Sequence, residues 1–247
     1  MDDKKIPLTA HLQELRKRLI LSFVAIGIGF FVCYTFKEPI FNILASPLMN
    51  KVMPSGGSLI FTSVAEAFFT YMKVAFIAGL ILAFPFVLYQ IWAFVAPGLY
   101  QKEKRYVIPF VLGGSLFFAV GVLFGYYVAM PTVFRFLIGY ATDFIKPMPS
   151  MKEYLSFSIK FLLIFGLVFE FPVVLVLLAE IGVIDAKMLG RQRKYAILLI
   201  FVFAAVMTPP DLISQVLMAL PLIGLYELSI ILCRLFGKKK EAPAKPA

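Results

Sequence analysis

Two acidic residues stand inside basic clusters that have no evident need of them. Glu14 lies in HLQELRKRL beside Arg16, Lys17 and Arg18, and Glu103 lies in LYQKEKR between Lys102 and Lys104. Taken singly, each reads as an ordinary charged surface residue, since an exposed pair at helical spacing contributes only a few tenths of a kcal/mol. Taken together, two separate carboxylates suit two cationic groups. Arginine fits best, because the guanidinium fork makes short, directional, bidentate pairs with carboxylate. A third acid, Glu170, sits within the apolar run FGLVFEFPVV. An ionised carboxylate there is expensive unless it faces a cavity or a partner. Either it serves a function, or it is structural, capping backbone groups freed by Pro172 or staying protonated in a buried hydrogen bond; the residues leave both open. Thr208-Pro209-Pro210-Asp211 reads as a tight turn between two apolar runs, with Ser214 and Gln215 one turn further on. Asp211 suits the cap of the following helix, whereas Thr208 and Gln215 suit a polar partner within the membrane.

Other chemistry is missing from the pattern. His11 is the lone histidine, and Cys33 and Cys233 fall near opposite membrane faces, about a bilayer thickness apart, so no intrachain disulfide is expected. Neither a Cys/His cluster, a Gly-rich phosphate loop nor a serine-nucleophile elbow is present. The expectation is therefore no metal, no cofactor and no catalytic residue.

The elements that position these residues must be membrane helices. A chain that is 61% hydrophobic and 15% charged, with mean hydropathy +0.91, needs lipid as its solvent. The first apolar stretch follows an arm and an Arg-Lys-Arg cluster and lacks a small-residue cleavage site, which marks a retained helix rather than a secretory signal. A net charge of +10 raises the question of nucleic acid. The basic residues, however, fall in short clusters between apolar runs, where orientation in the bilayer accounts for them.

The expected fold is an all-α membrane protein, one polytopic domain over residues 1–236. It has a cytoplasmic arm at 1–18 and helices at about 19–36, 64–96, 106–130, 151–181, 194–207 and 212–234; a Lys-rich tail at 237–247 is expected to be disordered. Loop charge alternates: Lys4, Lys5, Arg16, Lys17 and Arg18 share a side with Lys102, Lys104 and Arg105, with Lys187, Arg191, Arg193 and Lys194, and with the Lys-rich C-terminus. By the positive-inside rule that side, with both termini, is the cytoplasm. On the outer side Ser63 with Glu66, and Ser150 with Glu153, read as Ser-x-x-Glu capping boxes opening helices 2 and 4. Those helices then begin outside the lipid, in an outer cap that includes Lys73 and Lys160. One constant offset maps Lys17, Arg18, Gly27 and Phe30 onto Lys104, Arg105, Gly114 and Phe117, and Ser63, Glu66, Lys73, Gly79 and Pro85 onto Ser150, Glu153, Lys160, Gly166 and Pro172. Duplication of a helical hairpin and coincidence among Phe-rich helices both remain open. Pro85, Pro172 and Pro221 lie inside helices 2, 4 and 6, so bent rods and a curved, concave bundle are expected. Helix 5 has about thirteen apolar residues, roughly 20 Å of rise against a ~30 Å hydrocarbon core.

These segments, HLQELRKRL, LYQIWAFVAPGLYQKEKR, FEFPVV and TPPDLISQ, occur in an order and spacing similar to the TatC family, the multispanning receptor subunit of the twin-arginine protein translocase. The resemblance covers Leu8 to Phe236. It implies a receptor for twin-arginine signal peptides that assembles with single-span partner subunits of the TatA and TatB type, and with further copies of itself, to export folded proteins using the proton-motive force. It further implies that Glu14 and Glu103 contact the twin arginines and that Arg16 orients the arm. By the same resemblance Glu170, Met207, Thr208 and Gln215 are intramembrane positions facing the cavity or partner helices, and Pro47 and Asp211 are structural positions of the outer face. The competing reading is a proton-coupled secondary transporter with Glu170 as relay carboxylate. Inverted repeats would favour it, but the repeat here keeps one orientation and mid-membrane acid is confined to Glu170.

Overall fold

The computed structural model describes residues 8–51, 58–95, 107–142, 147–208 and 212–236. Among these the chain is helical, without β-strands: α1 (Leu8–Thr35), α2 (Lys37–Lys51), α3 (Glu66–Val95), α4 (Val107–Phe124), a π-helical turn (Gly125–Ala129), α5 (Met130–Ile138), α6 (Met151–Phe169), α7 (Phe171–Glu180), α8 (Ala186–Arg191), α9 (Arg193–Met207) and α10 (Leu212–Phe236). Among the described residues, five stretches are long and apolar enough to cross a membrane: those of α1, α3, α4 through α5, α6 with α7, and α10. The sixth expected helix is α9, whose 15 residues rise only about 22 Å. Its shortness agrees with the sequence, and its length leaves a sixth crossing unestablished.

The chain divides into two compact units, Met1–Leu116 with Met148–Lys160, and Phe117–Pro147 with Phe161–Ala247. In the first, α1 packs along α3 because two glycines let the backbones meet. A Cβ on Gly29 would stand 2.6 Å from the carbonyl oxygen of Gly79, and one on Gly79 would collide with the backbone of Phe30. Close approach through small residues is how membrane helices gain packing energy without a hydrophobic drive between them. At one end of the pair His11 stacks on Phe94, with ring centroids 4.4 Å apart; Trp92 stacks on Phe110 of α4 at 4.8 Å. The phenol of Tyr154 donates to the Leu44 carbonyl of α2 at 2.7 Å.

The second unit uses the same device. A Cβ on Gly121 of α4 would meet Phe165 and Phe169 of α6, and one on Gly166 would meet the ring of Phe118. α10 lies against α7, α8 and α9. Tyr226 donates to the Leu189 carbonyl at 2.8 Å, and Arg193 pairs with Glu227 at 2.7 Å.

The prolines act differently from one another. Pro172 follows a break between α6 and α7, where Glu170 N–H bonds back to Leu167, three residues away, because the proline ring cannot accommodate the regular ladder. Pro85 and Pro221 instead sit within α3 and α10, which continue through them. The third apolar run extends past Met130 to Ile138, since Pro131, at the start of α5, is absorbed by the widened turn Gly125–Ala129. α7 stops at Gly182, whose φ of +77° is the left-handed conformation that ends a helix.

Candidate functional site

The arm places Glu14 one turn before Arg18 on α1, and their side chains form an ion pair of 3.0 Å, Arg18 Nη2 to Glu14 Oε1. The other amine of the same guanidinium, Nη1, donates to Gln90 Oε1 on α3 at 3.0 Å. Gln90 is 4% exposed, so the acceptor on α3 is fixed by packing while the pair itself stays partly open to solvent. Glu14 Oε2 has no partner among the described residues. Arg16 is exposed on α1. Glu103, with its neighbours Lys102, Lys104 and Arg105, lies outside the described residues. The arrangement is a carboxylate already shown to accept a guanidinium, held at the end of two helices locked by Gly29 against Gly79 and by His11 against Phe94.

Glu170 is 8% exposed, and its Oε1 is buried without a hydrogen-bond partner among the described residues. It occupies the N-cap position of α7 with no side-chain cap bond; the expected alternative, a carboxylate satisfying backbone groups freed by Pro172, is not what forms. Thr208 closes α9 in extended conformation, buried, with its hydroxyl donating to Ala204 at 2.9 Å. Gln215 of α10 donates from Nε2 to the Phe201 carbonyl of α9 at 3.1 Å. The sequence suggested a partner for both polar groups; within the chain, each already makes a bond to α9. Met207 is the last residue of α9 and is half-buried. Pro47 is fully buried in α2, and Asp211 lies outside the described residues.

The segments that lead into α3 and α6 hold a cluster that the capping-box spacing pointed at but misassigned. Glu66 opens α3 ahead of the apolar run that begins at Val74. Its Oε2 accepts from the N–H and hydroxyl of Thr62 at 2.7 and 2.9 Å, rather than from Ser63. Oε1 accepts from the Ser150 hydroxyl at 2.7 Å and the Lys152 N–H at 3.0 Å. The hydroxyl of Ser150, expected to cap α6 with Glu153, is thus directed at Glu66. Backbone bonds from Ile60 to Pro149 and from Met151 to Ile60 seal the same junction. The Ser150 hydroxyl, then the Thr62 and Lys152 amides, hold the Glu66 carboxyl down at about 2. Gln90 was also missed; its only sequence signal is a lone amide in the apolar stretch LYQIWAF.

Residues 10–221 match the family described as TatC, Sec-independent protein translocase protein. The chain is 51% identical over 246 residues to the Sec-independent protein translocase protein TatC of Desulforapulum autotrophicum, covering 100% of this chain and 91% of that protein. To the Escherichia coli protein of the same name it is 38% identical, covering 95% and 92%. A crystal structure of the twin-arginine translocase receptor TatC in DDM superposes with a TM-score of 0.77 at 41% identity, covering 93% of this chain and 100% of that one. With sequence, helix pattern and fold in agreement over nearly its whole length, the chain belongs to the TatC family of Sec-independent protein translocase proteins.

Proposed function

We propose that this chain is the receptor subunit that binds twin-arginine signal peptides, with Glu14 and Glu103 as the carboxylates that take the arginines and Arg16 orienting the arm. Membership in the family makes it a multi-pass inner-membrane component of a protein translocase and not an enzyme, which sets the carrier reading of Glu170 aside. The observation that carries the proposal is the Glu14 carboxylate, which holds a guanidinium at 3.0 Å and keeps a second oxygen available among the described residues. The two oxygens of a carboxylate match a planar guanidinium fork, whereas a single ammonium uses them only in part.

The positive-inside pattern supports a cytoplasmic location for the site and for both termini. The family resemblance supports assembly with single-span partner subunits and further copies of this chain, with Glu170, Met207, Thr208 and Gln215 toward cavity or partners and Pro47 and Asp211 in the outer cap. Residues 1–236 act as a single membrane domain in this reading.

The test is binding of a synthetic Arg-Arg signal peptide, beside its Lys-Lys counterpart, to the purified protein and to Glu14→Ala/Glu103→Ala. Selective binding that disappears in the double variant supports the receptor and its site together. Equal binding of both peptides means the carboxylates do not read guanidinium.

A further inference from the structure

We infer that Arg18 is a resident competitor at the Glu14 carboxylate, seated there by Gln90, and that an incoming signal-peptide arginine binds by displacing it. This rests on the reading of Glu14 as a signal-peptide contact.

An exposed ion pair at (i, i+4) spacing is normally weak, because two long side chains must give up their freedom to make it. Here that freedom is already restricted from a second helix. Arg18 Nη1 donates to Gln90 Oε1 while Nη2 donates to Glu14 Oε1, both at 3.0 Å. One planar group is therefore held at two prongs, by α3 and by its own helix. The register is reinforced nearer the start of α1 and the end of α3, where His11 stacks on Phe94. The Ser22 hydroxyl bonds to the Arg18 carbonyl at 2.9 Å, which adds order on the other side.

Arg18 is nonetheless an incomplete occupant. It uses one carboxylate oxygen, since its second amine is committed to Gln90, and Glu14 Oε2 is left without a partner among the described residues. A free guanidinium gains more by taking both oxygens in a fork. To do so it must take Oε1 from Arg18, which can remain on Gln90. The competitor raises the dissociation constant by the same factor for every ligand that needs Oε1. A guanidinium fork that takes both oxygens bears that cost against two charge-assisted bonds. Gln90 is a positioning residue in this scheme, acting through Arg18.

The experiment measures peptide binding to purified protein for Arg18→Gln, Gln90→Leu and both in a Glu14→Ala background. Arg18→Gln is expected to tighten the Arg-Arg peptide by about two- to fivefold. Gln90→Leu, which changes no charge, is expected to tighten it in the same direction by less. Both gains are expected to vanish when Glu14 is alanine. Unchanged or weaker binding by Arg18→Gln, with Glu14→Ala still impairing the wild-type background, overturns the competitor and leaves the receptor reading standing. Tightening by Arg18→Gln with none by Gln90→Leu reduces the effect to removal of a positive charge and overturns it as well. Wild-type binding that survives Glu14→Ala removes the receptor reading, and this inference with it.

Discussion

The carboxylate of Glu66 accepts a 2.7 Å hydrogen bond from the hydroxyl of Ser150, joining the residues that open α3 to those that open α6. The constant sequence offset aligns these two segments, and Glu66 joins them while also accepting from Thr62 ahead of its own helix. Glu66→Ala strands the Thr62 and Lys152 amides, whereas Ser150→Ala removes one donor and leaves the carboxylate with Thr62 and Lys152. Thermal unfolding in detergent should show Glu66→Ala well below Ser150→Ala, and Ser150→Ala below wild type. Equal midpoints for Glu66→Ala and wild type would remove the junction from the stabilising contacts.

The same carboxylate makes a pH prediction whose sign is fixed by its depressed pKa. Folded it titrates at about 2, against ~4.3 for an unperturbed glutamate. The unfolded chain therefore takes up the proton first as pH falls. The stabilisation is fully present above about pH 4.3 and is lost as pH drops through about 2. The difference in unfolding midpoint between wild type and Glu66→Gln should be constant from pH 7 to pH 5 and shrink below about pH 4. A difference that changed between pH 7 and pH 6 would assign the linkage to another group.

Glycine substitutions in α1 should divide sharply. A Cβ on Gly29 meets backbone at 2.6 Å, while one on Gly27 meets nothing within 4 Å. Backbone atoms cannot rotate away, so Gly29→Ala should separate α1 from α3 and cost about 1–3 kcal/mol. Gly27→Ala should be neutral or stabilising by up to ~1 kcal/mol through helix propensity. Unfolding of both variants in one detergent checks the contrast, and similar midpoints would mean that the α1–α3 approach is not tight.

How far these features were legible depends on the range of the interaction that makes them. The long apolar helices, the short α9 and the break before Pro172 follow from composition and from a proline's missing N–H, which are local. The helix α2 did not show, because its 15 residues are neither strongly apolar nor opened by a capping pattern, and Pro47 reads as a breaker. The π-helical turn is invisible in the spacing, since it reflects how Gly125 packs and how Pro131 is accommodated. Glu66 was legible as a capping acid, but its bonds to Ser150 and Lys152 join residues far apart in sequence, and no local spacing encodes them. Glu14 was visible, and helical spacing alone sets Arg18 one turn beyond it; Gln90, which holds the other amine of that guanidinium, comes from another helix.

Gln215→Leu tests the polar positions around α9. The amide donates to the Phe201 carbonyl at 3.1 Å, so leucine removes the bond from α10 to the middle of α9. If α9 with Thr208 and Gln215 receives a single-span partner, co-purification of that partner should fall several-fold while peptide binding at Glu14 is unchanged. Unaltered co-purification would take Gln215 out of the partner site and leave it a strut between α9 and α10.

Glu170 separates recognition from transport. A buried carboxyl oxygen with no partner among the described residues and no cap bond to α7 contributes little to holding the helix break together. Packing around Pro172 and the Glu170 N–H bond to Leu167 do that without the side chain. A group kept at such a cost points to a step outside the resting fold, such as contact with a partner or passage of cargo. Glu170→Ala should leave signal-peptide affinity within about twofold of wild type and the protein stably inserted, while export of a folded substrate falls at least about tenfold; twofold in affinity is only a few tenths of a kcal/mol. Affinity lost in parallel with export would place Glu170 in the architecture of the receptor itself.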